Sequence, residues 1–316
     1  MAVPANTWET YDGLTSGIIR EDLADIIYNI APTETPFQSN VARGSSKGTF
    51  HEWTIDTLDT AVDAPVVEGD DAATQAIVPT VRHGNYTQIA DKVIRVSGSD
   101  GVSDNAGMAS RMAYELSKKG MELKRDMETT LVGTNKARAA GSSGTARELA
   151  PVLSWISTNT NKDAGGTDPS GDGTDARVDG STRAFLETHL EDVIDQIFNE
   201  GGHPSVIMCG SAQKRVISSS FDGNATKYKE VDDKKVINAV DVYVSDYGEL
   251  MVVPNRFMRS TDVFVLDTDM WSVDTYRDFQ THDLAKTGDS DRKQMLVEYT
   301  LTSKQEAASG GIFDLS

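Results

Sequence analysis

The sequence predicts an α+β chain in which one domain, built from a long helix and late strands, is split around an inserted lobe. Met108, Met112, Leu116, Gly120, Leu123, Met127 and Leu131 recur at spacings of 4, 4, 4, 3, 4 and 4, which draws one stripe down an α-helix. Met295, Val297, Tyr299 and Leu301 alternate with polar residues, the period of a strand. Between these two signals lie a helix, a strand, a helix and paired strands, the order of a compact lobe. At 316 residues the chain can bury a core without crosslinks, and its one cysteine, Cys209, excludes an internal disulfide framework.

Charge narrows the function classes. There are 30 basic and 49 acidic side chains, a formal balance of -19 that is spread along the chain with no basic tail. Such a surface is not one that meets a phosphate backbone. The start, Met1 to Asn6, has neither a basic nor an apolar signal region, and no run approaches the about 18 apolar residues of a membrane span. The expectation is a soluble, cytoplasmic start and no membrane partner.

The elements follow in order. Residues 1–45 form an arm. Leu23, Ile26, Ile27 and Ile30 make a short apolar patch, Pro32 and Pro36 stop any helix, and the patch is expected to dock elsewhere. Residues 46–97 are β: Phe50, Trp53 and Ile55 begin one extended strand, and Val93, Ile94 and Val96 close the other. Between them the stretch Glu52 to Asp71 holds seven acids, Glu52, Asp56, Asp59, Asp63, Glu68, Asp70 and Asp71, and no base, so a hairpin-like excursion with a mobile acidic tip is expected, an ordinary β-meander being the alternative. The long helix spans 106–133, capped by Asp104 or Asn105 and ended by Gly133, with i,i+4 pairs Arg111–Glu115 and Lys118–Glu122. From Met108 to Val132 it would run about 37 Å at about 1.5 Å per residue. Gly120 on its stripe reads as a close backbone approach or as a tolerated glycine.

Residues 141–182 read as a long loop around a short apolar run at Val152, Leu153, Trp155 and Ile156. Thr182 then caps a helix with Phe185, Leu186, Leu190, Val193, Ile194 and Ile197 inward, stopped at Gly201-Gly202. A buried strand Val206–Cys209, a helix from Ser211 to about Ser219, and strands at Val236–Val244 and Glu249–Val253 complete a lobe over 183–255. The strands of 256–316, including Val263–Leu266 and Met270–Val273, are expected to fold back against the long helix.

Catalytic spacings are missing. His51, His83, His189, His203 and His282 stand apart, with no zinc-protease helix, nucleophile elbow or lysine-bearing phosphate loop. Asp267 and Asp269 between two strands read as turn acids, with a divalent-ion pair as the alternative, and Cys209 reads as core. Asp168, Ser170, Asp172 and Asp179 match the oxygen spacing of a calcium loop, with Gly173 at its sharp turn. Pro169, the terminal Asp and the absent leading helix favour a plain Asp/Gly loop. No catalytic residue, cofactor or metal is assigned.

Glu21-Asp22-Leu23-Ala24-Asp25-Ile26-Ile27-Tyr28-Asn29-Ile30-Ala31-Pro32-Thr33-Glu34-Thr35-Pro36-Phe37, followed by Lys47-Gly48-Thr49-Phe50-His51-Glu52-Trp53, resembles the opening of a phage major capsid subfamily. The order of elements resembles the shell fold shared by tailed bacteriophages, the herpesvirus capsid floor and encapsulin nanocompartments. That resemblance implies an N-arm at 1–45, an extended loop at 46–97, a peripheral domain at 98–182 and 256–316 with a spine helix at 106–133, and an axial domain at 183–255. It implies a non-enzymatic subunit that self-assembles, as hexamers and pentamers, into an icosahedral head around double-stranded DNA. The DNA would be enclosed without sequence-specific binding. A separate scaffold protein, a portal and a decoration protein are the further partners it implies. An encapsulin-like shell and a non-shell binding module are the alternatives. Some such proteins crosslink through an extended-loop lysine; Lys47 and Lys92 lie at the base of the excursion, so non-covalent shells are expected.

Overall fold

The computed structural model describes residues 34–71, 76–102, 110–221 and 241–316. The patch at Leu23, Ile26, Ile27 and Ile30, the caps Asp104 and Asn105, Met108 and the strand start at Val236 lie outside the described residues. In chain order the elements are α1 (Pro36–Asn40), β1 (Ala42–Ser45), β2 (Phe50–Ile55), β3 (Val81–Tyr86), β4 (Gln88–Ser97), α2 (Gly98–Val102), α3 (Arg111–Val132) and β5 (Asn159–Asn161). There follow α4 (Glu187–Asn199), β6 (Val206–Cys209), α5 (Ser211–Ser220), β7 (Val242–Ser245), β8 (Gly248–Pro254), β9 (Val263–Leu266), β10 (Trp271–Leu284), β11 (Ser290–Ser303) and β12 (Gly310–Ile312).

Among the described residues three sheets organise the α+β fold: β1-β10-β11-β4, β5-β12-β9-β6-β8-β7, and the two-stranded β2-β3. The long helix is α3. Ser110 breaks its start with extended dihedrals and accepts from the Ala113 N–H at 3.4 Å, so the helix begins at Arg111 rather than at 106. Gly133 ends it as expected, for a methyl group there would collide with the Phe257 carbonyl. Leu123, Met127 and Leu131 of its stripe are buried. A methyl group at Gly120 would meet only the Met295 side chain at 3.5 Å, so that glycine is tolerated and no close backbone approach requires it. Arg111 pairs with Glu115 at 3.5 Å, but Glu122 takes Lys119 at 2.7 Å instead of Lys118.

The six-stranded sheet separates two cores. Val206, Met208, Phe264 and Leu266 face the α3 side together with Trp155, Trp271 and Leu301; Ile207, Cys209, Val263 and Val265 face Leu190, Val193, Ile194 and Ile197 of α4. Burial on both faces explains why Val206–Cys209 is apolar without alternation. Burial pushes the Cys209 thiol up to about 11, the behaviour of a core residue.

Several expectations are corrected. The partner of β2 is β3, not 93–96; β4 pairs antiparallel with β11 along Gln88–Ser97. The end of the first 45 residues belongs to the body: Phe37 and Val41 are buried, and β1 runs parallel to β10. Thr182 caps nothing, because α4 begins after Leu186, which is itself exposed. The stretch 141–182 is pinned by β5 and by the fully buried Arg177 guanidinium, which pairs with Asp168 and Asp314. The tail does not all return to α3. β9 and β12 enter the six-stranded sheet, so the sheet of the 183–255 lobe is completed by strands from both sides of it.

One buried carboxylate on α3 organises the entry of the chain. Glu128 is fully buried and accepts from the Phe37 N–H at 2.7 Å, the Gln38 N–H at 3.2 Å, the Gln38 side chain at 3.0 Å and the Asn255 side chain at 2.7 Å. It sits where the first N–H groups of α1 lack intrahelical partners.

Candidate assembly surface

The β2–β3 stem is held by its inward residues. Register places His51 opposite Asn85 and Trp53 opposite His83. Trp53 packs on Trp155 with centroids 5.3 Å apart, and His83 meets the same indole at 6.2 Å. On the outer face the Phe50 ring lies across Gly84, whose missing side chain makes the room, against Tyr86 at 4.6 Å and under the Arg138 guanidinium at 5.3 Å.

Beneath the stem the seat is polar. Asn85 donates to the Leu301 and Ala150 carbonyls at 2.9 and 3.1 Å and accepts from the Ala150 N–H at 2.9 Å. Thr300 donates to the Tyr86 carbonyl at 3.1 Å. His51 lies 3.3 Å from Asp274, which also accepts from the Ser272 and Thr302 hydroxyls. Buried Glu298 takes Arg147 at 2.5 Å, Arg277 at 2.7 Å and the Thr87 hydroxyl at 2.6 Å. Each buried charge here has its partner, the condition for a polar layer to be tolerated.

From this stem the chain runs out as a long extension. Residues 56–71 and 76–80 are exposed throughout and carry no strand. Leu58 is 99% exposed and Ile77 93%, and Val62, Val66, Val67 and Val78 are exposed with them. Among the described residues the backbone of 56–71 makes one hydrogen bond to another backbone group, Asp70 N–H to the Val67 carbonyl, and Asp56, Asp59 and Asp70 accept from the N–H of the next residue. An extension carrying six apolar side chains this open marks an interaction surface. Sequence reasoning weighed the acids of this stretch and passed over the valines between them, which were the legible signal.

The other singled-out residues do structural work. Asp168 is bound by Lys162, Arg177 and the Thr160 hydroxyl, Asp179 pairs with Arg259, and Ser170 and Asp172 bond within their own turn with Thr174 and Asp175. The four do not converge. Asp172 is held below the usual carboxylate range by the Thr174 and Ser170 hydrogen bonds, which outweigh its burial. Asp267 accepts from the Asp269 N–H at 3.2 Å, as a turn acid does. Lys92 pairs with Asp126 on α3 at 2.5 Å, and Lys47 is exposed at the foot of the stem. Among the described residues no group of three or more His, Cys, Asp or Glu is placed to hold a metal, and no helix is long and apolar enough to cross a membrane.

A family model described as the SU10 major capsid protein matches residues 4–316. The chain belongs to the SU10 major capsid protein family. It is therefore a structural subunit of a tailed-phage shell, not an enzyme; its place is the virion and its first partner is its own copy. A similar protein, the major capsid protein of Escherichia phage Phieco32, is 26% identical over 326 aligned residues, covering 92% of each chain. The capsid of Cyanophage A-1(L) is similar in fold, with TM-score 0.69 at 11% identity over 96% of this chain and 99% of that one. The capsid of the native GTA particle has TM-score 0.66 at 10% identity, covering 99% and 100%. At such identities the likeness speaks for the fold.

Proposed function

We propose that this capsid protein builds an icosahedral head from hexamers and pentamers in which the 56–80 extension of each subunit lies on a neighbour. The carrying observation is the open apolar series Leu58, Val62, Val66, Val67, Ile77 and Val78, all exposed in the subunit. In this reading 46–97 is the extended loop, 98–182 and 256–316 form the peripheral domain with α3 as spine helix, and 183–255 is the axial domain. Residues 1–45 are the N-arm, rooted in the body through α1 and β1. A separate scaffold protein guides assembly, a portal occupies one vertex, a decoration protein binds outside, and double-stranded DNA is enclosed without sequence-specific contact. The balance of -19 supports the last point, since a wall of like charge does not hold packaged DNA.

Cryo-electron microscopy of purified protein tests the reading, with closed shells showing fivefold and sixfold clusters as the expected result. Replacing 56–71 by a short Gly-Ser bridge should abolish shells while the free subunit melts within about 1 °C of wild type, because exposed changes away from the core cost under about 0.5 kcal/mol. Normal shells from the deleted chain would refute it.

A further inference from the structure

The chain ends inside its own fold. β12 lies between β5 and β9 in the six-stranded sheet, and Ser309 to Leu315 are all buried. Ile312 and Leu315 enter the lobe core while Phe313 enters the main core, so the last strand pins the two together. Among the described residues β5 has no neighbour but β12. The rest of 157–183 is tied to the same segment. The Ser157 and Thr158 N–H groups donate to Glu306 at 3.2 Å, the Phe313 N–H to the Asn161 carbonyl at 2.9 Å, the Arg183 N–H to the Asp314 carbonyl at 2.7 Å and the Ser316 N–H to the Arg183 carbonyl at 2.9 Å. The Asp314 carboxylate accepts from the Gly180 N–H at 2.8 Å and the Asp163 N–H at 3.2 Å, and the Arg177 guanidinium that pairs with it lies over the Phe313 ring at 3.8 Å.

This junction is closed at a cost. Asp314 sits in the left-handed region at φ 60°, which residues other than glycine seldom adopt. Arg177, Arg183 and Gln213 each bond the terminal segment, yet the buried Arg177 Nε, Arg183 Nε and Gln213 Oε1 have no hydrogen-bond partner among the described residues. Such groups would regain water if the segment left. A methyl group on Gly310 would meet the Asn159 carbonyl at 2.7 Å, so the strand fits only with glycine, the residue that gives up most conformational freedom on docking.

We propose that 305–316 and 157–183 form one latch that opens as a unit ahead of the rest of the subunit, and that the subunit assembles only with the latch closed. The two stretches open together because the ties of one end on the other. Closure reaches the stem: Thr158, Gly171 and Glu306 line one crevice with Ile55, Val81 and His83, and Trp155, just ahead of the tied stretch, carries Trp53. An open latch therefore loosens the foot from which the extension is aimed. Residues 305–316 are also the last to leave the ribosome, so the latch closes only on a finished chain. Unfinished neighbours on one message then lack the seated stem with which to join. This link to assembly rests on the reading of the extension as the assembly surface; the opening of the latch does not.

Native-state hydrogen exchange on the free wild-type subunit, in denaturant kept below the global transition, tests the latch. The amides of Thr158, Gly180, Arg183, Phe313 and Leu315 should converge on one opening, at least about tenfold more frequent than that of α3 and the β10–β11 pair. Exchange of these amides only together with α3, or as unrelated separate openings, would overturn the proposal. A chain stopped after Ser309 tests the gate. It should keep the α3 protection of wild type, lose protection across 157–183 and form no shells by electron microscopy. Shells from the stopped chain would overturn the gate, and loss of α3 protection would show that the terminal strand belongs to the global fold and is no latch. Shells from the chain lacking 56–71 would instead refute the reading of the extension, while the exchange result would stand.

Discussion

Glu128→Ala should be among the most damaging single changes in this subunit although it sits in the middle of a helix where alanine is favoured. The substitution removes the acceptor of four donors, the Phe37 and Gln38 N–H groups and the Gln38 and Asn255 amides, all in a region closed to solvent. A buried donor left without a partner costs about 1–3 kcal/mol. Relaxation around α1 will return some donors to water, so half of the four at about 2 kcal/mol each gives about 4 kcal/mol, against a total of about 5–15 for a folded domain. At about 2–4 °C per kcal/mol for chains of this size the midpoint should fall by about 8–16 °C. Thermal melting of the free subunit by near-ultraviolet circular dichroism measures it, with exposed Thr129→Ala as the control expected within about 0.5 kcal/mol of wild type. A fall under about 3 °C for Glu128→Ala would show that water enters the α1 junction and that the carboxylate is not its keystone.

Asp262 is fully buried and burial raises its carboxyl from 3.8 to about 6, so the folded state retains a proton that the unfolded state has released as pH rises through that window. Stability contributed there is lost between about pH 4 and 6, on the order of 3 kcal/mol at most, and Asp262→Asn should melt above wild type at pH 7.5 and lose that advantage near pH 4. A constant difference across pH would refute the assignment. EDTA and Asp172→Ala should each leave the melting temperature of shells unchanged, because Lys162, Arg177 and Arg259 already fill the places a cation would take; restoration by calcium after an EDTA-induced drop would contradict this. Boiling shells in SDS should release one monomer band, since Lys92 is held by Asp126 and Lys47 sits far from the tip; a covalent ladder would refute non-covalent closure.

What was legible in the sequence was whatever one periodicity could carry. The α3 stripe from Leu123 to Leu131, the α4 face from Leu190 to Ile197 and the doubly buried β6 appear where their apolar spacing puts them. The partner of β2 was hidden because Val81-Arg82-His83-Gly84-Asn85-Tyr86 has too many polar residues to resemble a strand, whereas 93–96 looks ideal; pairing was decided instead by Asn85 and Trp53 meeting the body. The alternation along β11 says nothing of what covers its polar half, and Glu298, Thr300 and Thr302 are buried because the stem lies over them. Glu128 was illegible for a related reason. A glutamate among exposed helix residues looks ordinary until a segment ninety residues earlier places its N–H groups over it.

The contrast between the two faces of β11 has a mechanical consequence for the assembly surface. On one face Val297, Tyr299 and Leu301 join the main apolar core, and apolar burial is non-directional; it fixes that a layer packs and only loosely at what angle. On the other face the stem is seated by Asn85, Thr300, His51–Asp274 and Thr87–Glu298, each of which has a preferred geometry and weakens when misaligned. Aim matters here because the extension is long. Some twelve extended residues reach about 40 Å, and a tilt of about 5° at the stem would carry the tip about 3.5 Å sideways, roughly one residue of strand register. A register shift by one residue turns every side chain to the opposite face, so an apolar seat that allowed such tilting would leave Val62 and Val66 unable to find the same partners in each copy. A polar seat of paired groups, each costly to misplace, gives every subunit the same reach.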